Sequence, residues 1–484
     1  MESAFANRMN PTDALFWLLD KVPDLRSTIA ALVILERPPT RQRIHEEFER
    51  LSCRLVRLRQ RVREVPFGLA PPEWVEDPQF DCNYHLRCLA VPAPGGMDEL
   101  LEEISPFYAT AFDPERPLWE AYVVEGLAGG RGALFIKMHH CLTDGVGGVQ
   151  LSEMLLSHQA GSSPTMIKAV ADRRSITPIA LLWRATFHNV NDAVQVCRSA
   201  LGWAATAALA PTTTWRAVPR VVRAVAGFAQ ELAVPRAESP LHHRRSLSRR
   251  LSTFEMSLHE IDAVRGKLSA TNNDIVLTIV SGAMHRWHTS RGADTRELRT
   301  LVPVSLRRPD DVSAGNRLAL LAVPLPVGEL NPLRRLRIIQ DRMGQVKGDR
   351  RAALYPLLAR LMIALPLALA KRIGRQQTTR TNFVCTNVPG PRRPRYLAGE
   401  LVEKIYPYAP LVGDHPVAIA LYSYRDTMCV GLDVDPLAMD DLPRFRDMLQ
   451  ESYDEILNVG RQIPHSAARP GRRRGPRKQL RISQ

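Results

Sequence analysis

Cysteine is scarce in this chain, seven in 484 residues, and the positions 53, 82, 88, 141, 197, 385 and 429 fall at no metal-ligand or redox spacing. A zinc centre and a disulfide scaffold are both excluded on that pattern, and the odd, scattered set suits a reducing compartment. No stretch is apolar for long enough to span a bilayer. The least polar run, residues 199–215, carries no charge but is interrupted by Pro211. The first residues lack the basic-then-apolar plan of a signal peptide, so a cytoplasmic protein is expected. No repeat and no nucleic-acid fold motif can be found.

Acidic residues are also in deficit: 65 Lys and Arg against 50 Asp and Glu give a net charge of +15. Over half of the excess lies in residues 461–484, which hold eight Lys or Arg and no Asp or Glu. Composition predicts a disordered tail, most simply a solvated one; of its two functional readings, attraction to anionic lipid, about 1 kcal/mol per basic residue near a membrane, ranks above nonspecific nucleic-acid binding. No aromatic residue interleaves it for base stacking, so no specific nucleic acid is expected as a partner.

The length exceeds what one hydrophobic core organises, and two domains are expected. Residues 1–165 form the first and 251–460 the second. Between them, 166–250 reads as a helical amphipathic linker in which arginines recur among alanine, valine and tryptophan. Apolar runs at 28–35, 119–124, 133–137, 318–323 and 416–424 read as strands alternating with helical patterns, an α/β class. Residues 354–374, rich in leucine and edged by Arg360, Lys371 and Arg372, read either as a buried helix pair or as a surface that docks on a bilayer or lipid droplet.

The feature that carries chemistry is Met138-His139-His140-Cys141-Leu142-Thr143-Asp144-Gly145. It follows an apolar strand and precedes a helical pattern, so it sits on a strand-to-helix loop, where a rigid frame presents functional side chains. Histidine accepts a proton near neutrality, and His140 is the candidate general base. Adjacent residues on a strand point to opposite faces, so one histidine is expected to enter a channel while the other packs. A metal site would need three or four convergent ligands that this neighbourhood does not supply.

Further along stand Arg116-Pro117-Leu118-Trp119-Glu120, Asn272-Asn273-Asp274-Ile275-Val276-Leu277, Pro303-Val304-Ser305-Leu306-Arg307, Gly315-Asn316-Arg317 and Thr386-Asn387-Val388-Pro389-Gly390-Pro391. With the histidine motif, in this order, the sequence resembles the bifunctional wax ester synthase/acyl-CoA:diacylglycerol acyltransferase family. That family lies within the CoA-dependent acyltransferase superfamily, which includes chloramphenicol acetyltransferase and peptide-synthetase condensation domains. The resemblance spans most of the chain.

It implies a two-domain chloramphenicol acetyltransferase-like fold with the active-site channel at the domain interface. It also implies direct transfer of a long-chain acyl group from acyl-CoA to diacylglycerol or a fatty alcohol, with His140 as base. No covalent acyl-enzyme and no cofactor are implied, acyl-CoA being a co-substrate, and Cys141 is then a small apolar side chain. His139, Asp144, Gly145, Asn273, Asp274 and Arg307 are the supporting candidates. By resemblance, Asp144 turns away from the histidine to pair with an arginine, for which Arg307 is the candidate.

From the residues themselves, Asp274 reads first as a helix cap, with a catalytic role behind it. Asn273 and backbone amides near the glycines are the places to look for oxyanion donors. Pro117-Leu118-Trp119 reads as the entry of a strand with Trp119 in the core. Residues 386–391 read as a rigid turn that shapes the site. Met9 to Ala14 matches the family's usual opening, but Asp24-Leu25-Arg26-Ser27-Thr28 stands where many members carry Pro-Met-His. Two other readings share the histidine motif or the fold: a carrier-protein-dependent condensation or polyketide-associated acyltransferase, and a lipid-binding relative without turnover.

Overall fold

The computed structural model describes residues 8–66, 70–142, 153–159, 238–243, 245–294, 296–305, 318–347, 362, 363, 365 and 367–463. In chain order the elements are α1 (Pro11–Asp20), β1 (Thr28–Leu35), α2 (Arg41–Arg54), β2 (Gln60–Arg63), β3 (Glu73–Glu76), α3 (Cys82–His85), β4 (Leu86–Ala90), α4 (Met97–Ala109), β5 (Trp119–Glu125) and β6 (Gly132–His139). The second half contributes β7 (Arg250–Ser257), α5 (Leu258–Leu268), α6 (Asn272–Thr289), β8 (Leu298–Ser305), β9 (Leu318–Leu325), α7 (Pro332–Lys347), α8 (Leu367–Thr378), β10 (Phe383–Val388), β11 (Tyr396–Leu397), β12 (Glu400–Tyr408), β13 (Val417–Tyr424), β14 (Thr427–Val434) and α9 (Leu442–Gln462).

Alternation of side chains builds the first sheet, ordered β11-β12-β1-β6-β5-β4. Val33 and Leu35, Leu134 and Ile136, and Trp119, Ala121 and Val123 face α2 through Ile44, Phe48 and Leu51. The intervening Leu32 and Ile34, Phe135, and Tyr122 and Val124 face α4 through Leu100, Leu101, Ile104 and Tyr108. A sheet covered on both faces excludes water from both sets of side chains, so these strands are apolar at nearly every position.

The second sheet runs β7-β14-β13-β10-β8-β9, with β10 parallel to both β13 and β8 and the other pairs antiparallel. One face packs on α5, α6, α7 and α9 in a single large core that includes Trp287, Phe383 and Phe445. The α6 start is set by a reciprocal cap: the Asp274 amide donates to Thr271 Oγ1 at 3.2 Å, and the Thr271 amide donates to Asp274 Oδ2 at 2.8 Å.

The two sheets are not independent. Strands β11 and β12 come from the second half of the chain, yet β12 pairs antiparallel with β1 in the first sheet. Where β14 passes β12, a side chain at Gly431 would meet the Pro407 carbonyl oxygen at 1.8 Å, so only glycine lets the two backbones approach. Arg249, just before β7, pairs through a largely buried side chain with the buried Asp433 of β14, and its guanidinium lies 4.4 Å over the Tyr108 ring of α4. Burial would lower the Arg249 pKa, but Asp433 and Tyr108 outweigh it and hold the guanidinium more basic than usual.

Several expectations are corrected here. The 166–250 linker was expected to be helical; its described end, 238–243 and 245–249, is turn and coil, and the strand β7 already begins at Arg250. There Arg245 and Arg249 are buried partners of Asp435 and Asp433 rather than one face of an amphipathic helix. Arg461 belongs to the last turn of α9, where it holds Glu260 at 2.7 Å, and not to a tail. The rest of the linker, most of 354–366 and residues 464–484 lie outside the described residues.

Candidate active site

Strand β6 ends the apolar run at His139, which is 1 % exposed, and the chain turns at once, the Leu142 amide donating to the His139 carbonyl at 3.0 Å. The His139 amide donates to the Leu118 carbonyl at 3.0 Å, and Trp119 stands opposite Met138 in register. The Pro-Leu-Trp and His-His motifs are thus hydrogen-bonded neighbours. Trp119 is fully buried as expected, its indole donating to the Leu58 carbonyl at 2.8 Å and stacking on His85 and Phe48.

The two histidines are treated differently. His139 Nδ1 accepts from the Cys141 amide at 3.1 Å, and its Nε2 lies 3.1 Å from Asp20 Oδ1 at the end of α1. Burial would raise the Asp20 carboxyl, but His139, the Ser27 amide and Arg26 outweigh it and hold it below the usual range. His140 is only half-buried. Its amide donates to the Ser27 carbonyl at 2.8 Å, and its ring stacks on Phe16 of α1 with centroids 4.5 Å apart. An imidazole stacked on a ring face and anchored through its own main chain can take a proton from a hydroxyl brought against it.

Cys141 is 2 % exposed in a cluster with Met9, Ala14, Val62, Trp74 and Leu118. Burial pushes its thiol well above the ordinary value, which suits an apolar filler and not a nucleophile.

Asn273 and Asp274 open α6, which packs into the second core, and Asp274 is committed to Thr271 in the cap. The cap residue is Thr271 rather than the Asn-Asn-Asp run itself. Residues 386–391 are corrected too: Thr386, Asn387 and Val388 continue β10, opposite Ala420, Leu421 and Tyr422, and the turn begins only at Pro389. A side chain at Gly390 would meet the Ser423 carbonyl oxygen at 2.2 Å. Val388 and Tyr422 pack into the first sheet's core beside Met138, Trp119 and Leu142, so this motif does reach the histidine strand. Asp144, Gly145 and Arg307 lie outside the described residues, and so does their pairing.

The sequence reading missed Phe16, Asp20 and Ser27. Asp20 gave no signal because its partner His139 lies across the whole first domain in sequence. One group among the described residues, His45, Glu49 and Cys82, brings ligand-type atoms within 4.8 Å of one another. It suits a cation poorly: Arg59 lies 3.8 Å from Glu49, and burial together with Glu49 and Asp81 pushes the Cys82 thiol up to about 12.

With this geometry in view, the chain compares closely with known proteins. The model of the wax ester synthase/diacylglycerol acyltransferase catalytic domain matches residues 9–276, and that of the WS/DGAT C-terminal domain matches 314–457. A probable diacylglycerol O-acyltransferase of Mycobacterium tuberculosis is 29% identical over 470 residues, covering 94% of this chain and 97% of that one. The wax ester synthase/diacylglycerol acyltransferase of Marinobacter aquaeolei VT8 superposes with a TM-score of 0.64 at 24% identity, over 94% of this chain and 99% of that one. The first condensation domain of the calcium-dependent antibiotic synthetase superposes with a TM-score of 0.59 at 15% identity, over 96% and 98%. At such identities the two structures speak for the fold alone.

Proposed function

Since the chain belongs to the wax ester synthase/diacylglycerol acyltransferase family, we propose that His140 is the general base of an acyl transfer from acyl-CoA to a lipid alcohol. The protein is an acyltransferase of the diacylglycerol O-acyltransferase and wax ester synthase type, acting on diacylglycerol or a fatty alcohol. The observation that carries the residue assignment is the half-buried His140 at the end of β6, its amide held by the Ser27 carbonyl and its ring stacked on Phe16, while its neighbour is buried.

In this reading the neutral imidazole of His140 takes the proton of the acceptor hydroxyl. The oxygen attacks the thioester carbonyl carbon, the new C–O bond forms, and the C–S bond breaks. The departing CoA sulfur recovers the proton from His140. No redox step and no acyl-enzyme are needed, and no cofactor enters the balance. Acceptors of this kind dissolve poorly in water. The exposed Leu369 and Arg372 of α8, which packs against α1, support entry from a lipid surface. Among the described residues no helix is long and apolar enough to cross a membrane.

The test is CoA-thiol release from palmitoyl-CoA, with hexadecanol and dioleoylglycerol supplied separately. His140→Ala is expected to keep the thermal midpoint and lose between about a hundredfold and ten-thousandfold in rate. A variant as fast as the parent overturns the assignment, and the acceptor that drives release identifies the preferred alcohol.

A further inference from the structure

We infer that Asp20 is a positioning residue for the acyl transfer: it fixes the tautomer of His139 and, through Ser27, the main chain of His140. The inference rests on the reading of His140 as the base.

The argument is one of donors and acceptors. A backbone amide can only donate, so the Cys141 amide 3.1 Å from His139 Nδ1 requires that nitrogen to be without a proton. The proton of the neutral ring is then on Nε2, and the acidic group beside that nitrogen is Asp20, its Oδ1 at 3.1 Å. The same Asp20 oxygen accepts from the Ser27 amide at 3.2 Å. The Ser27 carbonyl in turn accepts the His140 amide at 2.8 Å. One carboxylate oxygen therefore ties together the residue before β1, the buried histidine, and, by one further peptide, the candidate base.

Helix α1 delivers this carboxylate and, one turn earlier, the Phe16 ring that lies on His140. Its own start is locked by Asn10, whose side chain accepts from the Asp13 amide at 2.8 Å and donates to the Asp13 carboxylate at 2.7 Å. Position and direction of α1 are thus set at one end by a cap and at the other by His139. Without Asp20, the Nε2 proton of a ring buried at 1 % exposure loses the carboxylate beside it that favours this tautomer. The ring is then free to exchange tautomer, and the Cys141 amide loses its acceptor as well. The turn that aims His140 is loosened without any residue in the reaction having changed.

Asp20→Ala, Asp20→Asn and His140→Ala are compared in the full-length protein by kcat, KM for palmitoyl-CoA and thermal midpoint. The His139 tautomer is read from the ring-nitrogen resonances of 15N-histidine protein, assigned with His139→Gln. Misplacing a base by about 1 Å costs on the order of a hundredfold, so Asp20→Ala should lose about that much in kcat with KM unchanged. Asp20→Asn keeps an acceptor oxygen and should return most of the rate. The parent should show His139 protonated on Nε2. A parent ring protonated on Nδ1 overturns the inference. So does an Asp20→Ala enzyme with normal kcat beside an inactive His140→Ala, and that result leaves the base assignment standing. A loss in Asp20→Ala that follows the folded fraction alone also overturns it. An active His140→Ala instead removes the base assignment, a failure seen in that variant alone.

Discussion

The first sheet holds the histidines but cannot be completed without the second half of the chain, whereas the second sheet, as described, takes every strand from its own half. That asymmetry places β1, which leads out of Ser27, between β6 and the borrowed β12, in register with both. The candidate base therefore depends on contacts made by residues 396–408, while the helix-covered core of the second sheet can be disturbed without touching the histidine turn. The difference separates two kinds of residue: those at the seam between the sheets, where stability and chemistry are coupled, and those in the second core, where only stability is at stake.

The largest effect is expected at the seam. Asp433 and Arg249 are both buried, and beyond Arg249 the contacts run on through the Tyr108 ring, whose hydroxyl donates to the Thr28 carbonyl at 2.9 Å, opposite His139 in β6. Removing one partner of a buried pair leaves the other charge uncompensated, so Asp433→Asn should cost about 3–5 kcal/mol in chemical denaturation. Activity per folded molecule should fall as well, since Thr28 begins the strand that holds the site. Unchanged activity per folded molecule would show that the seam does not reach the histidines.

What the sequence disclosed and what it concealed divide along similar lines. The β1 strand was legible residue for residue, 28–35, because an apolar run between polar turns has one cheap solution. Trp119 in the core and the part of Asp274 in the α6 cap were legible for the same local reason, though the cap residue itself is Thr271, and Cys141 was read as apolar only through the family resemblance. The contribution of β11 and β12 to the first sheet was not, because strand pairing over such a separation leaves no trace in a window of residues. Asp20 escaped for that reason too. Residues 386–388 were misread because Asn, Pro and Gly dominate the composition, while pairing with β13 decides the conformation. The arginines before β7 looked like a solvated helical face, and only Asp433 and Asp435 explain them.

A smaller, pH-dependent loss should come from the second core alone. His288 on α6 is 1 % exposed, with Nδ1 2.7 Å from the Met284 carbonyl oxygen and Nε2 2.7 Å from Ser239 Oγ. Burial, only partly offset by that carbonyl, takes its pKa down to about 4, with His285 and Arg291 adding to the fall. In the unfolded chain the ring titrates near 6.5. The neutral ring's contribution is thus complete above that pH and is lost as the pH falls toward 4, roughly 3 kcal/mol in all. Denaturation between pH 7.5 and 4 should show this slope, and His288→Gln should flatten it. Activity per folded molecule at pH 7.5 should stay level in the variant, as the ring has no contact with the first sheet's histidines.

The smallest effect is the sharpest test of the division. Asp274 and Asn273 carry a motif that the resemblance makes a site-supporting candidate, yet Asp274 is spent on the Thr271 cap at the head of a helix packed in the second core. Asp274→Ala removes the acceptor for the Thr271 amide and should cost about 1 kcal/mol, the usual worth of a cap, with kcat unchanged once corrected for the folded fraction. Asn273→Ala, at a half-buried position of the same first turn, supplies the contrast. If it lowers kcat while Asp274→Ala does not, the first turn of α6 serves the reaction through its asparagine and the fold through its aspartate. If Asp274→Ala itself lowers kcat per folded molecule tenfold or more, about 1.4 kcal/mol in the barrier, the cap is part of the site. The line between seam and second core would then have to be redrawn to include the start of α6.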